Sequence, residues 1–97
     1  MPRVEIYTTA YCPYCIRAKM LLTQKQIRFE EIAVDRDQER RREMMVRSRR
    51  HTVPQIFIGT THVGGCDDLF ELERQSQLDT LLNAVDKPTE EQKEPAT

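Results

Sequence analysis

Hydrophobic and polar residues alternate near the start of the chain and then change to a helical spacing. The alternation over Val4-Glu5-Ile6-Tyr7 is typical of a strand, whereas apolar side chains between Pro13 and about Lys25 recur at the spacing of a helix. Proline suits the first helical position, because its missing N–H would have no partner there. The pattern therefore predicts a strand and then a helix that starts directly after Cys12.

The middle of the chain repeats this order. Residues 27–34 have the composition of a second strand, and residues 35–48 predict a polar helix with a small apolar face at Met44 and Met45. The succession of strand, helix and strand over residues 4–34 predicts a parallel crossover unit.

The remainder of the pattern predicts a hairpin and two further helices. Two short strands, 55–58 and 61–63, flank Gly59-Thr60 and are expected to pair antiparallel. Helical spacing begins at Asp67 and returns from Leu78 to Val85. The sheet is therefore expected to contain both parallel and antiparallel pairs.

Length and composition fit one small domain. The chain has 97 residues, of which 38% are hydrophobic and 32% charged, and it is long enough for a single core but too short for two. We predict that residues 1–86 form this domain. Residues 87–97 contain no apolar side chain except Ala96, which predicts a flexible tail.

The charge of the chain gives no general attraction to nucleic acid or to an anionic membrane. The formal net charge is -1, and the seven arginines of residues 36–50 are interpreted as a solvated helix face, because no recognition fold or stacking aromatics accompany them. The first residues lack the long apolar run of a signal peptide or a membrane span. We therefore expect a cytoplasmic protein that binds neither nucleic acid nor membrane.

Two of the three cysteines, Cys12 and Cys15, form a C-x-x-C pair at the predicted start of a helix. In a reducing cytosol such a pair is more typical of redox chemistry or metal binding than of a structural disulfide. Helix amides and the helix dipole favour a thiolate at Cys12, so we expect it to be the more acidic thiol. A structural zinc half-site completed by Cys66, His51 or His62 is the alternative, although the chain has no second C-x-x-C.

The chain resembles the dithiol glutaredoxins, especially the small bacterial type, from Val4 to about Leu82. The resemblance is carried by three motifs in this order: Cys12-Pro13-Tyr14-Cys15, Thr52-Val53-Pro54 and Gly64-Gly65-Cys66-Asp67-Asp68. It implies an α/β, thioredoxin-like fold with a four-stranded mixed sheet and helices on both faces. It also implies a glutathione-dependent thiol-disulfide oxidoreductase that reduces protein disulfides and protein-glutathione mixed disulfides.

The resemblance assigns a role to each motif. Cys12 matches the nucleophile that takes glutathione as a mixed disulfide, and Cys15 matches the thiol that resolves a protein disulfide. Pro54 matches a cis-proline. The implied glutathione-binding positions are Tyr14, Thr52, Val53, Pro54, Gly65, Cys66 and Asp67. The Cys66 thiol is interpreted as incidental, with a third redox-sensitive group as the alternative.

The chain departs from the family pattern at Thr9, where many relatives carry a lysine that supports the thiolate. Four arginines are candidates to supply this charge instead: Arg17, Arg47, Arg49 and Arg50.

Glutathione is the expected co-substrate, and no metal is expected. Disulfide-containing or glutathionylated proteins are the expected partners of a monomer. The alternative function is iron-sulfur cluster binding or carriage through Cys12 and glutathione. Pro13 and Tyr14 argue against it, because cluster-holding relatives more often carry a small residue between the cysteines.

Overall fold

A four-stranded sheet forms the centre of the computed structural model, which describes residues 2–86. Its elements in chain order are β1 (Val4–Thr8), α1 (Pro13–Gln24), β2 (Glu30–Ala33), α2 (Gln38–Ser48), β3 (Gln55–Ile58), β4 (Thr61–Gly64), α3 (Cys66–Arg74) and α4 (Leu78–Asp86). Each predicted strand and helix is present. The tail predicted at residues 87–97 lies outside the described residues.

The strands lie in the order β2-β1-β3-β4. β1 pairs parallel with β2, where Tyr7 lies opposite Ile32, and antiparallel with β3, where Tyr7 lies opposite Gln55. β3 and β4 form an antiparallel hairpin. The mixed sheet expected from the pattern is therefore confirmed.

Alternation along the strands sends side chains into two separate cores, one on each face of the sheet. Ile6 and Ile56 pack with residues of α1, α3 and α4, whereas Tyr7 and Phe57 pack with Met44 of α2. Helices thus cover both faces, and the α/β, thioredoxin-like class is confirmed. In the part of the chain from residue 2 to 86, no helix is long and apolar enough to cross a bilayer.

The second strand begins at Glu30 rather than at Ile27, because the backbone of Ile27 is hydrogen-bonded to the end of α1. The N–H of Ile27 donates to the carbonyl of Leu22 at 2.9 Å, and Gln26 adopts a left-handed φ of 59°. This is the usual geometry of a helix terminus, and it keeps Ile27 out of the sheet. Ile27 is nevertheless buried in the first core, which explains why the apolar pattern extended beyond the strand.

The polar helix α2 begins three residues later than predicted. The Asp37 side chain accepts a hydrogen bond from the N–H of Arg40 at 3.1 Å and caps the helix, so the chain before it is not helical. The predicted apolar face is half correct. Met44 is fully buried, whereas Met45 is 38% exposed.

Candidate active site

Cys12 lies at the N-cap of α1, directly after the loop that follows β1. Its Sγ accepts a hydrogen bond from the N–H of Cys15 at 3.1 Å and lies 3.9 Å from the carbonyl oxygen of Val53. The predicted position of Cys12 at the start of the helix is confirmed.

Cys15 lies one turn inside the helix and is 1% exposed. Burial, followed by the hydrogen bond with Cys12, raises the pKa of the Cys15 thiol to about 12, although a backbone hydrogen bond from Thr9 and the charge of Lys19 act in the opposite direction. Cys15 is therefore a protonated thiol at neutral pH.

A groove of about 200 Å³ lies beside Cys12. Its lining residues are Tyr14, Arg50, Thr52, Val53, Pro54, Gly65, Cys66, Asp67 and Asp68. The fold thus brings together all seven positions that the resemblance implied for glutathione, from three separate segments. The Val53-Pro54 peptide bond is cis, as the family match implied. Tyr14 is 56% exposed at the edge of the groove.

The far wall of the groove is the N-terminus of α3. The Asp68 carboxylate accepts a hydrogen bond from the N–H of Gly65 at 2.9 Å and forms an ion pair with Arg50 at 3.1 Å. The Gly65 hydrogen bond, and then Arg50, hold the pKa of the Asp68 carboxyl below its usual range. Gly64 has a φ of 118°, and a Cβ there would overlap the Asp68 carboxylate. Only glycine fits this turn.

The pairing of Arg50 with Asp68 was not predicted from the sequence. A carboxylate three residues after the glycine that precedes a helix is a capping signal, and it could have identified Asp68. Nothing in the sequence indicates that its cationic partner comes from the end of α2, because 18 residues separate the two.

Cys66 is the first residue of α3, and it is 4% exposed. Burial is the main cause that raises the pKa of its thiol above the ordinary value. A buried, protonated thiol is a weak nucleophile, so the structure favours the interpretation in which the Cys66 thiol is incidental.

The four candidate arginines occupy different environments. Arg17 lies over the Phe70 ring at 5.3 Å, and Arg47 pairs with Glu5 at 3.0 Å. Arg49 ends α2 in a left-handed conformation. Among the residues from 2 to 86, Arg50 is the arginine that lines the groove.

Lys19 is a cation that the sequence analysis overlooked. It follows Cys15 by one helical turn, where its charge lowers the pKa of that thiol, and its Nζ pairs with Glu31 at 2.9 Å. Lys19 is four residues after Cys15, and this spacing on a helix could have indicated that the two side chains are neighbours.

The zinc half-site has no completed ligand set in the described part of the chain. No group of three or more His, Cys, Asp or Glu side chains between residues 2 and 86 is arranged to hold a metal ion. His62, one of the proposed ligands, places its Nε2 2.7 Å from Gln55 Oε1 and stacks against Phe57.

Comparisons with known proteins all point to one family. The family model described as Glutaredoxin matches residues 4–63. A curated protein named Glutaredoxin from Pseudomonas aeruginosa is 61% identical over 84 residues, which cover 87% of this chain and 100% of that protein. The solution structure of a Brucella melitensis glutaredoxin has 56% identity and a TM-score of 0.76, and covers 84% of this chain and 89% of its own. The crystal structure of a buckwheat glutaredoxin-glutathione complex has 30% identity and a TM-score of 0.78, with coverages of 86% and 78%.

Proposed function

The chain belongs to the glutaredoxin family and is a thiol-disulfide oxidoreductase, and from this premise we propose that it reduces two kinds of substrate with glutathione. Protein-glutathione mixed disulfides require Cys12 alone. Protein disulfides require Cys12 together with Cys15. The observation that supports this division best is the contrast between the two thiols: Cys12 Sγ accepts a helix-terminal N–H and lies beside the groove, whereas Cys15, one turn deeper in the helix, is protonated.

Deglutathionylation proceeds in two exchanges. The Cys12 thiolate attacks the glutathione sulfur of the mixed disulfide, forms a disulfide with glutathione and releases the protein thiolate, which takes up a proton. A second glutathione thiolate then attacks the glutathione sulfur of that intermediate, which yields glutathione disulfide and returns the Cys12 thiolate. The hydrogen bond from Cys15 N–H stabilises Cys12 as a leaving group, and a stable leaving group speeds the second exchange.

Reduction of a protein disulfide uses the second thiol. Attack by Cys12 forms a mixed disulfide with the target, and Cys15 then attacks the Cys12 sulfur, losing its proton, so that a Cys12-Cys15 disulfide forms and the target leaves as a dithiol. Two glutathione molecules reduce that disulfide and become glutathione disulfide. Burial, the largest cause of the raised pKa of Cys15 in the reduced protein, acts against the Cys15 thiolate that must attack in this step.

The groove fits a tripeptide with two carboxylates and one ammonium group. The carbonyl oxygen of Val53 lies 3.9 Å from Cys12 Sγ, which supports pairing of the Val53 backbone with the cysteinyl part of glutathione. The amides of Cys66 and Asp67 at the start of α3 suit the γ-glutamyl carboxylate, and the Asp67 carboxylate suits the ammonium group. Arg50 is the cation available for the glycine carboxylate. The existence of a buckwheat glutaredoxin-glutathione complex supports glutathione as the ligand of this groove.

Two substrates and two variants test the division of roles. We expect Cys15→Ser to keep turnover of a glutathionylated peptide and to lose reduction of a protein disulfide, whereas Cys12→Ser loses both. Thr23→Ser, on the exposed part of α1 away from the groove, is the control, and it should keep both activities. Loss of both activities in Cys15→Ser, in a protein with an unchanged circular dichroism spectrum, would contradict the division.

The iron-sulfur alternative is not favoured, because Pro13 and the large Tyr14 side chain occupy the positions between the two cysteines. Absorbance in the visible range after anaerobic purification with glutathione would support that alternative. The monomeric state, the cytoplasmic location and the lack of a metal stay predictions.

A further inference from the structure

Gln55, the first residue of β3, is a fully buried glutamine that contacts the loop at the edge of the groove. Its Nε2 lies 3.1 Å from the carbonyl oxygen of Thr52 and 3.2 Å from the Thr52 hydroxyl oxygen. Its Oε1 lies 2.7 Å from Nε2 of His62 on β4. A buried polar side chain needs partners, and here they connect β4 to the loop.

These contacts fix the orientation of both side chains. Because the Gln55 amide nitrogen donates to Thr52, its oxygen faces His62 and can only accept, so the proton of the imidazole lies on Nε2. The imidazole stacks on Phe57 with ring centres 4.9 Å apart. Burial lowers its pKa, so the ring is neutral at pH 7. Phe57 therefore orients His62, His62 orients Gln55, and Gln55 holds Thr52.

Thr52 is followed by the residue on which the glutathione assignment depends. Thr52 is itself exposed, whereas the carbonyl of the next residue, Val53, lies 3.9 Å from Cys12 Sγ. A shift of the Thr52 carbonyl would therefore move the Val53 backbone relative to the nucleophile. Gln55 and His62 are not among the groove-lining residues within the described part of the chain.

We propose that Gln55 and His62 are positioning residues that hold the Val53 backbone in register with Cys12, and that they thereby set the preference for glutathione over smaller thiols. This inference rests on the proposed function, since it takes the Val53 backbone as the partner of the cysteinyl part of glutathione. Neither side chain takes part in the disulfide exchange.

A pair of substrates separates this role from a general structural one. In the first substrate a peptide cysteine forms a mixed disulfide with glutathione. In the second the same peptide cysteine forms a mixed disulfide with cysteamine, which lacks the peptide groups that the Val53 backbone would bind. Gln55→Met removes the donor and the acceptor at similar length. We expect kcat/KM for the glutathionyl peptide to fall roughly fivefold to tenfold, the effect of one or two neutral hydrogen bonds, with no change for the cysteamine peptide.

Two further variants remove the contacts of Gln55 one at a time, the one to Thr52 and the one to His62. In Gln55→Glu an ionised carboxylate keeps an acceptor for His62 but has no hydrogen to donate to Thr52, so the full loss is expected above the pKa of the new carboxyl group. His62→Leu leaves the Gln55 donor in place and should lower the preference by roughly twofold to threefold. Gln75→Met changes a surface glutamine that bonds only Glu71 among the described residues, and it should retain the wild-type preference.

Backbone mobility measured by NMR relaxation gives a second measurement that does not need activity. In Gln55→Glu and His62→Leu, the order parameter of the Val53 amide should fall, while that of Leu22 in α1 keeps its wild-type value. An unchanged substrate preference in both Gln55 variants, or an equal loss on both peptides, would overturn the proposal. A wild-type protein that did not prefer the glutathionyl peptide would contradict the proposed function itself.

Discussion

The N-termini of α1 and α3 face the same site, but different kinds of side chain accept their amide hydrogen bonds. At α1 the residue that accepts the amide hydrogen bond is a thiol, with Cys12 Sγ 3.1 Å from the nitrogen of Cys15. At α3 it is a carboxylate, with Asp68 2.9 Å from the nitrogen of Gly65. Both helices thus use the same electrostatic property of unpaired amides.

The difference lies in what happens to the acceptor. In the proposed mechanism Cys12 changes its charge and its covalent partner, so the Cys15 amide stabilises a group that is present for only part of the cycle. Asp68 takes no part in the exchange, and its carboxylate caps Gly65 N–H and pairs with Arg50. The α1 terminus is therefore suited to chemistry and the α3 terminus to a permanent shape. The side chain that accepts the amide hydrogen bond, Cys12 or Asp68, decides which.

The largest expected effect concerns the thiols. A thiol with a pKa of about 12 is ionised to only about one part in 10⁵ at pH 7, so iodoacetamide should modify Cys12 at least ~100-fold faster than Cys15 in the reduced protein. Peptide mapping by mass spectrometry measures both rates. Modification of Cys15 should accelerate as the pH rises towards 12. Equal rates at pH 7 would mean that Cys15 is not held in its neutral form.

The α3 terminus should be sensitive to its glycine. Gly64→Ala forces a side chain into a positive φ and against Asp68, and we expect the free energy of unfolding to fall by about 2 to 4 kcal/mol. Urea denaturation measures the loss. Gly65→Ala is the matched control, because its Cβ would lie 3.5 Å from the Pro54 carbonyl, an ordinary contact, and should cost less than about 1 kcal/mol.

The carboxylate cap should contribute a smaller, pH-dependent stability. Asp68→Ala removes the acceptor for Gly65 N–H and should cost about 1 kcal/mol at pH 7. Because the pKa of Asp68 is lowered in the folded state, this contribution is present above the unfolded pKa and disappears as the pH falls through the folded value, below about 4. Denaturation at pH 7 and pH 3 tests this. A constant difference between the two proteins would show that the charge plays no part.

The smallest expected effect on stability is that of Arg50→Gln. The ion pair with Asp68 is half exposed, so its loss should change the free energy of unfolding by less than about 0.5 kcal/mol. The same variant should raise KM for the glutathionyl peptide, because the groove loses a cation. Arg42→Gln, on the exposed part of α2, is the control for charge alone. Similar KM values in the two variants would remove Arg50 from the binding site.

The local pattern was enough to place the elements and the reactive thiol. The alternation in β1, the turn at Gly59-Thr60 between β3 and β4, the proline after Cys12 and the glycines near residue 64 act over a few residues, and their geometric consequences are local. For the same reason the pattern failed at Ile27, where an apolar side chain belongs to the core but its backbone belongs to the end of a helix. Burial alone does not determine hydrogen-bond pairing.

The sequence by itself determined the two helix termini, the pair of cysteines and the strands between them, because each follows from short-range spacing. Only the tertiary structure decided which distant side chains complete the site: Arg50 for Asp68, and His62 with Gln55 for Thr52. Chain topology brings these groups within hydrogen-bonding distance, and no periodicity in the sequence encodes a contact between two separate segments. The burial that keeps Cys15 protonated likewise depends on the whole packed core.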